Sequence, residues 1–138
     1  MDEDSVVWDD SFSVGFSPID NQHKELVLMT NELFQNCKEG DAIADMAIGR
    51  TFKKAMEYAK NHFSEEEGYL SQVFYPDLAA HKKLHFNFMF ELVGILSDFE
   101  AGNAVPIEMA RFLKTWLLNH IAVSDKKYAP YVAKLANR

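Results

Sequence analysis

All five histidines of the chain, His23, His62, His81, His85 and His120, fall on helical stripes that are otherwise apolar. The 3.6-residue period places His23 at the head of Leu26, Thr30, Leu33 and Cys37. A second stripe runs Ile48, Phe52, Ala55, Ala59, His62 and Glu66. A third begins with His81 and His85 and continues through Phe88, Leu92, Ile95 and Phe99, and a fourth carries Met109, Leu113, Trp116 and His120. Singly, an HxxxE or HxxxH step is commonly an ion pair or a satisfied core group. Imidazoles and carboxylates buried on four core faces at once need partners, because burial without them costs several kcal/mol per hydrogen-bonding group and more per charge. A metal centre supplies those partners, with Asp125 following His120 as the second carboxylate beside Glu66.

The spacing predicts four helices. Asp20 is a candidate N-cap for a first helix over about 20–38, Gly40 a left-handed stop and Asp41 the cap of the second. The second helix is expected to reach Tyr69 or Leu70, before Phe74, Tyr75, Pro76 and Asp77 break the period. Gly102 and Asn103 end the third, Pro106 opens the fourth, and Pro130 limits the last segment to a short or broken helix. Residues 1–18, with Trp8, Phe12, Phe16 and Pro18, read as an aromatic arm, and 19–138 as bundle and C-terminal segment of a single domain. Short connections imply an all-α, antiparallel up-down-up-down four-helix bundle. In that topology the starts of helices one and three and the ends of helices two and four share one end, so the histidines converge there. The five-residue step from His120 to Asp125 rotates off the stripe in an ideal helix, and a widened turn is expected to restore it.

The chain has 138 residues, 48% of them hydrophobic, which is enough for a core without disulfides. The lone Cys37 on an apolar stripe fits a reducing compartment. An acidic N-terminus with no long apolar run predicts neither export nor a membrane partner, hence a cytoplasmic location. The formal charge of −7, with dispersed lysines, argues against nucleic acid.

Neutral imidazole with some carboxylate suits divalent first-row metals, and seven ligands exceed the needs of one ion. If both carboxylates bridge two octahedral ions, they and five histidines make nine bonds, and a bridging oxygen adds two, leaving one of twelve positions for an exogenous ligand. Two divalent ions with two carboxylates and one hydroxide carry a net +1, which an apolar pocket tolerates.

Asp20-Asn21-Gln22-His23, His62-x-x-x-Glu66, His81-x-x-x-His85 and His120-Ile121-x-x-x-Asp125 followed by Tyr128, with Trp8 in the arm, resemble the bacterial type of hemerythrin over nearly the whole chain. The resemblance implies two non-heme irons with a bridging oxo or hydroxo group. One iron would be held by His81, His85 and His120 and the other by His23 and His62, with Glu66 and Asp125 bridging. The two-histidine iron would take O2, and azide or NO would fit the same position. Leu26, Val27, Phe63, Trp116, Leu117 and Ile121 flank the ligands and are the expected pocket wall, as well as ordinary core. Glu65 and Glu67 should point off the stripe as solvated surface. The expected function is reversible O2 binding for storage or delivery rather than catalysis. The rivals are an oxygen or redox sensor acting through a partner, a di-iron oxidase or peroxidase, and a metal-free bundle.

Overall fold

The computed structural model describes residues 5–38, 41–103 and 106–136, without the side chains of 41–44. The expected stop at Gly40 and the capping side chain of Asp41 lie outside the described residues. Among the described residues there are five α-helices, α1 (Ser17–Cys37), α2 (Asp41–Gln72), α3 (Leu78–Glu100), α4 (Pro106–Asn119) and α5 (Ala129–Ala136), and no strand. Contacts run α1 to α2, α2 to α3, α3 to α4 and back from α4 to α1, which closes the antiparallel four-helix ring, while α5 packs against α2.

The helix boundaries follow local chemistry. α1 begins at Ser17, three residues earlier than the expected cap at Asp20, because Pro18 sits in its first turn with φ already set for a helix. Asp20 instead accepts from Ser13 Oγ at 2.5 Å and from the backbone N–H of Val14 at 2.9 Å, tying the arm to the first turn. The arm therefore ends before Ser17 and contains one short 3-10 turn, Asp10–Phe12. α2 extends to Gln72, two residues past the expected end. It closes with Tyr75 N–H on Leu70 O and Phe74 N–H on Ser71 O, the Schellman pattern, with Phe74 in the left-handed position at φ 55. α3 ends the same way, with Gly102 at φ 80 and Asn103 N–H on Asp98 O, as its glycine predicts. Pro106 is the first residue of α4, and Pro130 lies in the first turn of the short α5.

Two apolar clusters flank the histidine end of the bundle. The larger runs along the inside of the helices through Leu33, Phe34, Ile48, Phe52, Leu92 and Met109. The smaller closes the end, and joins Val14 and Phe16 of the arm to Ile19, Leu70, Tyr75, Tyr128 and Val132. The arm is also fastened along α1, where Asn31 receives the Val6 N–H at 2.7 Å and donates to the Val6 carbonyl at 2.8 Å. Lys24 Nζ lies 5.3 Å from the Trp8 ring centroid beside it.

Asn31→Ala removes both ends of that clamp. It is expected to lower stability by about 1–2 kcal/mol, two modest hydrogen bonds' worth, and to shift Tm by roughly 5 °C in a calorimetric scan.

Candidate metal centre

Each helix delivers its polar residues to the same end. His23 lies just inside the start of α1, His62 and Glu66 near the end of α2, and His81 and His85 in the first two turns of α3. His120 follows α4 directly and opens a π-helical turn, His120–Ser124, whose wider pitch lets the Asp125 N–H reach His120 O. That extra residue per turn swings Asp125 back onto the interior face, as the five-residue spacing predicts. All seven side chains are buried.

The carboxylates divide the imidazoles into two sets. Glu66 Oε1 is 2.6 Å from His81 Nε2 and 3.2 Å from His85 Nε2, while Glu66 Oε2 is 3.0 Å from His62 Nε2 and 3.4 Å from His23 Nε2. Asp125 Oδ1 lies 3.1 Å from His81 Nε2 and 3.0 Å from His120 Nε2, and its Oδ2 lies 3.0 Å from His23 Nε2. Each carboxylate thus turns one oxygen to a three-histidine group and the other to a two-histidine group. Glu66 belongs to both.

Several of these atoms are close without being hydrogen-bonded. His23 Nε2, His62 Nε2, Glu66 Oε2 and both Asp125 oxygens have no hydrogen-bond partner among the described residues. His85 Nε2 and His120 Nε2 face each other at 3.0 Å, where at most one can donate. Lone pairs converging at this range are the arrangement that a shared cation satisfies, so the donor set fits two metal ions of the first-row kind.

Outside the centre, neighbouring side chains fix two of the rings. His62 Nδ1 donates to Gln22 Oε1 at 2.6 Å, and the Gln22 amide donates to Glu65. His85 Nδ1 donates to Glu67 Oε2 at 2.8 Å. A proton held on Nδ1 leaves the Nε2 lone pair facing inward. Glu65 and Glu67 are therefore not merely solvated surface: they stand one residue either side of Glu66, and Glu67 turns toward α3 and Glu65 toward α1. Only the packing of α1 and α3 against α2 brings partners within their reach. Gln22 stands next to His23 in the sequence motif, but its hydrogen bond to His62 is seen only once α1 packs on α2.

Electrostatics without metal has its own balance. Burial works to lower the pKa of His23 and of His81, but Asp125 and Glu66 outweigh it and push both up to about 9. Burial works to raise Glu66 and Asp125, yet the surrounding imidazoles hold both well below ordinary carboxylate values. Burial keeps His120 low, hence neutral, and pushes the Tyr128 phenol well up, with the negative Glu66 and Asp125 adding to it. Two protonated imidazoles then neutralise two carboxylates.

Beside the centre lies a cavity with about 20 Å³ of free room, lined by Leu26, Thr30, Ala55, Ala59, Phe63, Phe88, Leu113, Trp116 and Leu117. Four expected wall residues, Leu26, Phe63, Trp116 and Leu117, are in this lining. Val27 and Ile121 are buried in the same core but do not face the cavity. Phe63 stacks on His85 with ring centroids 3.8 Å apart, and Trp116 stacks on His120 at 4.3 Å. Leu26 and Ala59 lie one turn from His23 and His62, so the cavity wall adjoins the two-histidine set as well as His85 and His120. The small residues Ala55 and Ala59 leave this room, and a stripe pattern does not distinguish them from ordinary helix-packing alanines.

A helical bundle with a buried, histidine-rich donor set that two carboxylates join and that fits two metal ions defines a class, the non-heme two-metal bundles. The profile of the Hemerythrin HHE cation binding domain matches residues 14–132. The Bacteriohemerythrin of Stenotrophomonas maltophilia (strain R551-3) is 31% identical over 133 residues, which is 96% of this chain and 85% of that protein. The Bacteriohemerythrin of Methylococcus capsulatus is 37% identical over 123 residues, 86% of this chain and 87% of that protein. A crystal structure of wild-type hemerythrin superposes with a TM-score of 0.85 at 31% identity, covering 93% of this chain and 98% of that one. The chain belongs to the hemerythrin family, whose members carry a di-iron centre and bind O2.

Metal loading must displace the protons of His23 and His81. At pH 7 it is expected to release about two protons from these rings per loaded chain, read by anaerobic titration in a weakly buffered indicator solution. Apparent affinity should rise with pH and level off above about 9. Without metal, the raised His23 and His81 contribute stability that is complete below 6.5 and lost as pH rises through about 9. The lowered Glu66 and Asp125 contribute stability present above 4.5 and 3.8 and lost as pH falls. Glu67→Ala is expected to weaken metal retention about 10–100-fold in a competition with a chromophoric chelator, by freeing the His85 ring.

Proposed function

We propose that this chain is a cytoplasmic, non-enzymatic O2-binding protein that stores or delivers O2 by taking it up at one open iron position. His81, His85 and His120 would hold one iron, His23 and His62 the other, with Glu66 and Asp125 shared. One observation carries the reading: the shared carboxylates meet three imidazoles on one side and two on the other, so the His23 and His62 side is one ligand short. When bound, the two irons supply the electrons that hold O2 and recover them on its release.

The chain's own residues favour reversible capture. The cavity beside both ligand sets is walled mainly by hydrocarbon; its polar groups are the Trp116 indole and Thr30, whose hydroxyl proton is spent on Leu26 O at 2.9 Å. A wall without an acidic group slows loss of bound O2 as a reduced product. Tyr128, buried with its phenol held neutral, adds no charge to the centre. Gln22 and Glu67 orient His62 and His85, so the two ligand sets stay aligned when the exogenous position empties. Among the described residues no helix is long and apolar enough to cross a membrane, which is consistent with the location proposed.

The test is a visible spectrum of the dithionite-reduced, desalted chain before and after air, with metal analysis on the same sample. A charge-transfer band that appears in air and disappears under vacuum, with about two irons per chain, is the expected result. Irreversible conversion to a ferric spectrum would favour a sensor or oxidase instead. His62→Ala is expected to abolish the O2 band while the chain still folds and keeps metal at the three-histidine side; a normal band would overturn the assignment of the open iron.

A further inference from the structure

α3 is apolar on two opposite sides. Inward it presents His81, His85, Phe88 and Leu92. Outward it presents Phe86, Phe90 and Val93, which are 69%, 73% and 57% exposed. Steps of four and three residues put these three on one stripe, where a surface helix ordinarily carries charge. Grouped exposed aromatics of this kind mark a contact surface.

Apart from Glu91 on one flank, the charges of α3 lie at its ends and oppose the helix macrodipole. Lys82 and Lys83 stand near the N-terminal end and Asp98 and Glu100 near the C-terminal end, with no acidic residue in the first turn and no basic residue in the last. Stabilisation of α3 itself does not account for that order. Lys82 and Glu100 are about five helical turns apart and so share one flank of the stripe, while Lys83 and Asp98 share the other. Glu100 also lies 3.8 Å from Lys53, but both side chains are largely exposed and the pair is weak.

Gly94 adds an independent sign. A glycine inside a helix costs stability, and here a Cβ would meet nothing within 4 Å, so the chain's own packing does not require it. Gly94 lies as far after Phe90 as Phe86 lies before it.

We propose that α3 is the face on which two copies of this chain pair, antiparallel and two-fold symmetric about Phe90. In that register Phe86 of one copy enters the gap left by Gly94 of the other. Lys82 and Lys83 then lie beside the second copy's Asp98 and Glu100, with Glu100 two residues beyond the position opposite Lys82 and Asp98 one residue beyond the position opposite Lys83, offsets that the long lysine side chains span. An isologous contact requires a surface complementary to itself, which the opposed charges and the aromatic and glycine pair provide. A single helix face makes a small interface, so the dimer is expected to dissociate in the range of about 1–100 μM.

Sedimentation velocity of the iron-loaded chain from low to high micromolar concentration tests this. The wild type should pass from monomer to dimer. Phe90→Glu should weaken pairing at least tenfold, and so should Gly94→Leu, which fills the gap while favouring the helix and therefore keeps or raises Tm. Lys83→Glu should also weaken it, and adding Asp98→Lys to the same chain should restore it, because only an antiparallel self-contact brings those two positions together. A wild type monomeric throughout, or a dimer indifferent to Phe90→Glu and Gly94→Leu, overturns the proposal. A monomer that floats with phosphatidylcholine vesicles overturns it too, and gives the face to a lipid surface.

Discussion

Two carboxylates with no exposure to water, Glu66 and Asp125, set the terms for everything around them. Removing an ionised carboxylate from water costs several kcal/mol even after relaxation, and two of them side by side repel. The fold answers by surrounding both with imidazoles from all four bundle helices. In the metal-free chain two of those rings hold protons to about pH 9, which neutralises the pair. Two divalent ions held by the same side chains would take the place of those protons. The helices are thus tied to one another through the centre as much as through their apolar stripes.

The same requirement explains why the histidine end is sealed. A carboxylate pair reachable by water would be solvated and would lose much of its hold on a metal's position. The arm, the end of α2, Tyr75, Tyr128 and Val132 close that end, and the ladder of Phe63, Phe88 and Trp116 closes the other side. Apolar side chains here do two jobs at once: they supply most of the burial that stabilises the bundle, and they leave beside the centre a mostly apolar space with about 20 Å³ of free room.

The outer hydrogen bonds bring an asymmetry. His85, in the three-histidine set, donates to a carboxylate directly, whereas His62, in the two-histidine set, donates to a neutral amide that is backed by Glu65. A carboxylate on Nδ1 makes an imidazole a stronger donor than an amide does. The two imidazole sets therefore differ in number and in the basicity that their outer partners confer.

The burial of the five histidines and two carboxylates, the helix order and the convergence at one end were all legible in the sequence, because a 3.6-residue period turns spacing directly into a face and an up-down topology turns helix ends into neighbours. Even the π turn was foreshadowed, since Asp125 lies five residues from His120 and can return to the interior only if one turn widens. Start points were less legible: Asp20 looks like a cap but is claimed by Ser13 and Val14, groups that reach it only once the arm has folded back. The roles of Glu65 and Glu67 were beyond the pattern, because a residue just off a stripe is surface or partner according to which helix lies beside it. Cavity walls belong to the same category, with Ala55 inside and Ile121 outside for reasons of interhelical fit. Periodicity is a property of one helix and is written in the chain; contact between helices depends on distances among four of them, and only the tertiary structure fixes those.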